Sequence, residues 1–214
     1  MNAELPIDEV DLCALIGSRL CHDLVSPVGA IGNGVELLSM EGAGAPMAAG
    51  AAELSLVRES VENAQARLRF FRIAFGNAAG DQDVGRGEVL EILTELYKSG
   101  RLKVHWAVDG AQPRPAVKLA FLLLQCLESA MPYGGQVRIS AGETGWLVQG
   151  EADKLRVEPM LWDLLSGGAA PQELRPSQVQ FALVPLAVAR MRQRLEVETG
   201  ETRIVARARP ARPV

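Results

Sequence analysis

The chain has 214 residues, 48% apolar and 22% charged, enough apolar mass for one medium or two small domains with real cores and too ordinary a charge for disorder. Aromatics at 5% and a net charge of −4 argue against a base-stacking platform and against any general pull toward phosphate backbones or anionic membranes. No run of about 18 apolar residues is present to span a bilayer. The start, MNAELPIDEVDL, lacks the basic beginning and apolar middle of a signal peptide. A soluble, cytoplasmic protein with no nucleic acid and no membrane as partner is expected.

Asp8 to Met40 reads as one long helix, with Cys13, Ile16, Leu20, Leu24, Val28, Ile31, Val35 and Leu38 at the three- and four-residue steps of a packing seam. Pro27 is expected to bend it. EGAGAP, 41–46, supplies a turn, and a second helix from about Ala48 to Phe75 carries Leu54, Val57, Val61, Ala64, Leu68, Phe71 and Phe75 at the same spacing. Together they predict an antiparallel hairpin. A lone hairpin leaves one seam uncovered, so pairing of two copies into a four-helix bundle, a homodimer, is expected.

Charge shifts after this hairpin: residues 1–80 hold 5 Lys+Arg against 10 Asp+Glu, whereas the remainder is nearly balanced. GNAAGDQDVGRG, 76–87, reads as linker. The expected organisation is a hairpin over 1–79, a linker over 80–87 and an α/β sandwich over 88–214. Within the last, a helix from Arg86 to Lys98 precedes an alternating strand through Leu102, Val104, Trp106 and Val108. An apolar helix from Val117 to Met131 follows, then strands QVRIS and WLVQG. After a looser stretch, 151–176, a last helix from Ser177 to Arg194 leads into the strand TRIVARA. Helices alternating with hairpin-connected strands give an α+β fold.

Candidate chemistry is sparse. Cys13, Cys21 and Cys126 form no CxxC pair or metal-ligand spacing and read as reduced, packed thiols. His105 falls on the polar side of its strand. His22 lies about 200° from Leu20 and from Leu24 on a helical projection, off the seam, beside Ser18, Arg19, Ser26, Gly29 and Asn33. An imidazole nitrogen is nucleophilic near neutral pH, and a neighbouring carboxylate, here Asp23, can orient the ring. The spacing alone is equally that of a solvated surface histidine.

The run SRLCHDLVSPVGAIGNGVELL resembles the phospho-acceptor helix of histidine-kinase dimerisation domains, with the histidine, acid and proline of that motif at His22, Asp23 and Pro27. In the form RLCHDLVSPVGAIxNGxELL it is similar to the ChpT-type histidine phosphotransferases, and the similarity extends over nearly the whole chain. The resemblance implies a dimeric hairpin followed by a degenerate kinase-like ATPase domain. It implies His22 as phospho-acceptor, Asp23 as its helper, and Ser18, Arg19, Ser26 and Asn33 on the partner-facing side.

At the two places where the kinase ATPase helix carries asparagines this chain has Gln125 and Ser129. No Asp-x-Gly-x-Gly pocket or glycine lid follows. No cofactor of its own is therefore expected, magnesium coming with the partner receiver domain. The implied partners are the receiver domain of a hybrid histidine kinase and downstream response regulators. A phosphate-independent adaptor and a diverged ATP-dependent kinase stand as alternatives. A hairpin cut near Ala79 is expected to survive on its own, and Arg190, Arg192 and Arg194 to form a basic patch on the last helix.

Overall fold

Two long helices lead the chain in the computed structural model, which describes residues 8–40, 49–77, 82–142, 144–168, 171 and 173–211. Helix α1 spans Glu9–Met40 and α2 spans Ala49–Ala74. The expected turn at 41–46 lies outside the described residues. Pro27 does not end α1 and is buried within it. At Gly34 a Cβ would run into Val57 Cγ2, so the two helices cross closely there because position 34 has no side chain.

The α2 stripe does two different jobs along its length. Leu54 and Leu68 remain 59% and 53% exposed, whereas Phe70, Phe71, Ile73 and Ala74 are buried with the residues of the second unit. Phe70 stacks face to face on Phe121 of α4 (Arg114–Ala130), ring centroids 4.4 Å apart. A cut near Ala79 would bare these four apolar side chains, which the second unit covers here.

Asp83–Val84 (β1) already pairs with Gln112–Pro113 (β3), and α3 begins at Arg86 and runs to Tyr97. Strand β1 lies inside the stretch read as linker, and α3 starts within it, at the residue where a helix was expected. A five-stranded sheet follows, ordered β2-β4-β5-β7-β6, from β2 (Leu102–Ala107), β4 (Gly135–Gly142), β5 (Gly145–Glu151), β6 (Gln193–Thr199) and β7 (Arg203–Pro210). Only β2 and β4 run parallel, joined through α4. One inward row crosses the whole sheet, Trp106, Ile139, Val148, Ala206 and Val197 in successive register, as period-two alternation requires.

Helix α4 lies between this sheet and the helices α2 and α6 (Val179–Arg190). Its residues Val117, Leu119 to Leu124 and Leu127 are buried all round, which is why the sequence there reads as a continuous apolar run rather than a stripe.

Two elements differ from expectation. MLWDLL forms a helix, α5 (Pro159–Leu165), whose Trp162 meets Phe181 edge to face. The last helix stops at Arg190, and Arg192 takes a left-handed φ of 52° that turns the chain into β6. Arg190, Arg192 and Arg194 are thus spread over helix, turn and strand, not displayed on one helical face.

Because Phe70 joins the two units, Phe70→Ala is expected to cost about 3–5 kcal/mol, read as a lower denaturation midpoint with the loss shared by probes on the hairpin and on the sheet.

Candidate functional site

Three α1 side chains meet at the middle of the helix. His22 is 85% exposed, its side chain standing free of the fold. Its Nδ1–H donates to Asp23 Oδ1 at 3.0 Å. That bond assigns the proton to Nδ1, because a carboxylate oxygen only accepts. The Nε2 lone pair is left pointing away from the acid. Asp23 itself is only 12% exposed, its other oxygen taken by Arg19 Nε at 2.6 Å. Arg and Asp four apart on a helix are neighbours, and Asp23, one residue past His22, reaches the adjacent imidazole as well.

The structure separates the expected partner-facing residues into two groups. Ser18, Ser26 and Asn33 are exposed on the His22 side of α1. Arg19 is not free to meet a partner: its side chain is 16% exposed, and Nη1 donates to the carbonyl of Ser177 at 2.9 Å, in the short 3-10 turn Pro176–Gln178 that leads into α6. Helical projection showed which face Arg19 occupies but not that the second unit packs beside it.

Behind this triad is a cleft lined by Arg19, Asp23, Arg67, Phe70, Phe71, Tyr97, Gln125 and Glu128. Tyr97 O–H donates to Glu128 Oε2 at 3.1 Å. Enclosure raises the Tyr97 hydroxyl well above its ordinary pKa, with the Glu128 charge adding to the effect. Glu128 keeps an exposed edge, yet enclosure of its carboxyl by the cleft walls raises its pKa against the opposing pull of the Tyr97 hydrogen bond, Arg19 and Arg67. These two residues were not singled out by the sequence. Glu128 shows there only as a charged position near the end of the largely apolar α4, and Tyr97 as the last residue of α3.

Gln125 is 4% exposed in the same cleft, with its Oε1 lacking a hydrogen-bond partner among the described residues. Ser129 Oγ–H donates back to the carbonyl of Cys126. Gln125 thus faces Arg67, Phe70 and Phe71 of α2, whereas Ser129 is exposed. Elsewhere, His105 is exposed on β2 as expected. Cys126 is buried, but Cys13 and Cys21 are exposed, against the expectation of packed thiols. No group of His, Cys, Asp and Glu suited to a metal ion occurs among the described residues. Nor does any described helix have the length and apolarity to cross a membrane.

The family model for the histidine phosphotransferase C-terminal domain matches residues 86–203, just over half of the chain. Protein phosphotransferase ChpT of Brucella abortus (strain 2308) is 38% identical over 182 residues, 81% of this chain and 82% of that protein. The chain belongs to the ChpT-type histidine phosphotransferase family. A solved bacterial phosphotransferase superposes with a TM-score of 0.77 at 31% identity, covering 96% of this chain and 100% of that one. Function as a histidine phosphotransferase of a phosphorelay follows from this membership, as does the α+β fold with its leading helical hairpin.

The raised pKa of Glu128 has a consequence for stability. A carboxyl that holds its proton more tightly in the fold than in the unfolded chain favours folding at low pH. That contribution declines as the pH rises through the raised value. Glu128→Gln keeps an acceptor for Tyr97 but carries no charge. Its Tm is expected to exceed that of the wild type at about pH 7 and to match it near pH 4, checked by thermal melts across that range.

Proposed function

We propose that His22 is the phospho-acceptor and that phosphoryl groups pass through it between receiver-domain aspartates. The observation that carries this reading is the exposed ring with Nδ1–H held by Asp23. In the step it supports, the Nε2 lone pair attacks the phosphorus of an aspartyl phosphate. The P–N bond forms as the P–O bond breaks, and the aspartate leaves as a carboxylate. The ring then carries a positive charge that the adjacent Asp23 carboxylate offsets, so no proton need leave during transfer.

Phosphoryl transfer asks for in-line placement and charge neutralisation more than for covalent machinery. The receiver brings the acidic pocket and its magnesium, and this chain brings the imidazole and a docking face that includes Ser18, Ser26 and Asn33. The position of Gln125, wedged in the contact between α4 and α2, supports a chain that takes its phosphoryl group already activated rather than from ATP. The upstream donor is read as the receiver domain of a hybrid histidine kinase and the acceptors as response regulators.

Incubation with ³²P-labelled phosphorylated receiver tests this. Label is expected on the wild type and none on His22→Gln, whose helicity should be unchanged because the side chain is exposed. Asp23→Asn is expected to accept phosphate more slowly, on the order of 100-fold. Label arising from ATP alone would replace the relay by a kinase, and no label from either source would leave an adaptor.

A homodimer through the hairpin completes the proposal. Val28, Val35, Leu54 and Leu68 are each at least half exposed, and Leu24, Ile31 and Val61 stand half-buried among them. On α1 this stripe lies roughly opposite His22, so covering it with a second copy leaves the imidazole free. Leu68→Glu would put an unpaired charge into that contact, costing several kcal/mol, and is expected to give a folded monomer by light scattering where the wild type is a dimer.

A further inference from the structure

We propose that Arg19 is a positioning residue that ties the readiness of His22 to the seating of the second unit on the hairpin. The inference rests on His22 as phospho-acceptor and adds a control to that site. Its basis is a continuous chain of bonds. His22 Nδ1 donates to Asp23 Oδ1 at 3.0 Å, Arg19 Nε donates to Asp23 Oδ2 at 2.6 Å, and Arg19 Nη1 donates to the Ser177 carbonyl at 2.9 Å. Ser177 is 158 residues away in sequence and belongs to the turn that opens α6. The same carbonyl also accepts from Gln180 Nε2 at 2.9 Å, and Gln180 is 1% exposed, so the oxygen is held from both sides.

A guanidinium suits this role because its donors diverge in one rigid plane. One edge grips Asp23 while another grips Ser177, so the two acceptors fix the plane between them. With Ser177 in place, Asp23 has one oxygen occupied and the other left for the imidazole. With Ser177 displaced, Arg19 is held by Asp23 alone and swings with it, and the carboxylate no longer presents a single oxygen to Nδ1. Neighbouring charges do not replace this link. Arg67 on α2, Tyr97 on α3 and Glu128 on α4 share the cleft, but Tyr97 is committed to Glu128 and Arg67 Nε to Asn63 Oδ1.

Low exposure of both Arg19 and Asp23 beside an 85% exposed His22 separates holding from reacting. A docking residue would stand out with the histidine, whereas Arg19 spends its donors inside the molecule. Movement of the second unit, for example when a receiver lands on it, would then reach the imidazole through two hydrogen bonds.

The test uses the full chain and two variants, Arg19→Gln and Arg19→Lys, with transfer from ³²P-labelled phosphorylated receiver measured in single turnovers over a range of receiver concentrations. Histidine ¹⁵N NMR gives the share of His22 protonated at Nδ1, and amide hydrogen exchange follows residues 177–180. For Arg19→Gln the expected result is a maximal transfer rate lowered by about tenfold or more, a half-saturating receiver concentration within about threefold of wild type, and a smaller Nδ1–H share. Arg19→Lys restores the charge beside Asp23 but not the two-edged grip, so it should recover the Nδ1–H share while exchange at 177–180 stays faster than in wild type. An unchanged rate in Arg19→Gln, or a loss confined to half-saturation, overturns the inference. So does wild-type exchange in Arg19→Lys. Wild-type protein that takes no label from the receiver would instead sink the reading of His22 itself.

Discussion

The stacking of Phe70 on Phe121 is the contact on which the arrangement of the molecule depends. Helix α2 packs on α1 along the hairpin and on α3 beside it, and this stack adds its seat on α4. With it, the last turns of α2 become part of the core that α4 shares with the strands. Ion pairs from Arg69 to Glu91 and from Arg72 to Glu88 add a polar margin between α2 and α3. Such exposed pairs contribute little energy and serve mainly to fix register. The apolar contact seats the hairpin on the second unit, in which Ser177 meets Arg19.

Around that contact the polar groups are graded by access. His22 is open, Asp23 and Arg19 lie partly covered, and Gln125 is enclosed. Asp23 and Arg19 exchange solvent for protein partners, whereas Gln125 has an oxygen with no partner among the described residues. On α4 the side that carries Gln125 lies against Phe70 and Phe71 and lines the cleft that Arg19 and Asp23 of α1 also line.

Much of the fold could be read from spacing. The two long helices, the alternating strands and the buried helix α4 each carry a period that leaves little choice of element, and observed boundaries for α1, α2 and α3 lie within a residue or so of expectation. His22 stands out in the sequence because it lies off the apolar seam and sits in a specific motif. What could not be read is tertiary. Phe71 and Phe75 share the stripe of Leu54 and Leu68, and nothing in the spacing says that the stripe changes partner part-way along. Arg19 lies on nearly the same face as Ser26, and only the fold reveals that Ser177 stands beside it. Helix α5 was missed because its seven residues are too few to display a period. The last helix was overrun because VARMRQRLEVE suits a helix as well as a turn and strand until Arg192 adopts its left-handed φ.

The split duty of α2 also bears on how the chain is made. Synthesis delivers residues from the N-terminus, and domains tend to fold as they emerge. Both hairpin helices leave the ribosome well before α4, so Phe70, Phe71 and Ile73 have no covering partner during that interval. Their neighbours Leu54 and Leu68 are exposed as well, and the nascent hairpin carries one unbroken apolar band along α2. Completion of α4 divides that band, withdrawing its C-terminal end into the core and leaving Leu54 and Leu68 exposed. For the proposed pairing of two hairpins, the order of translation makes association least discriminating early and most selective once the second unit is built.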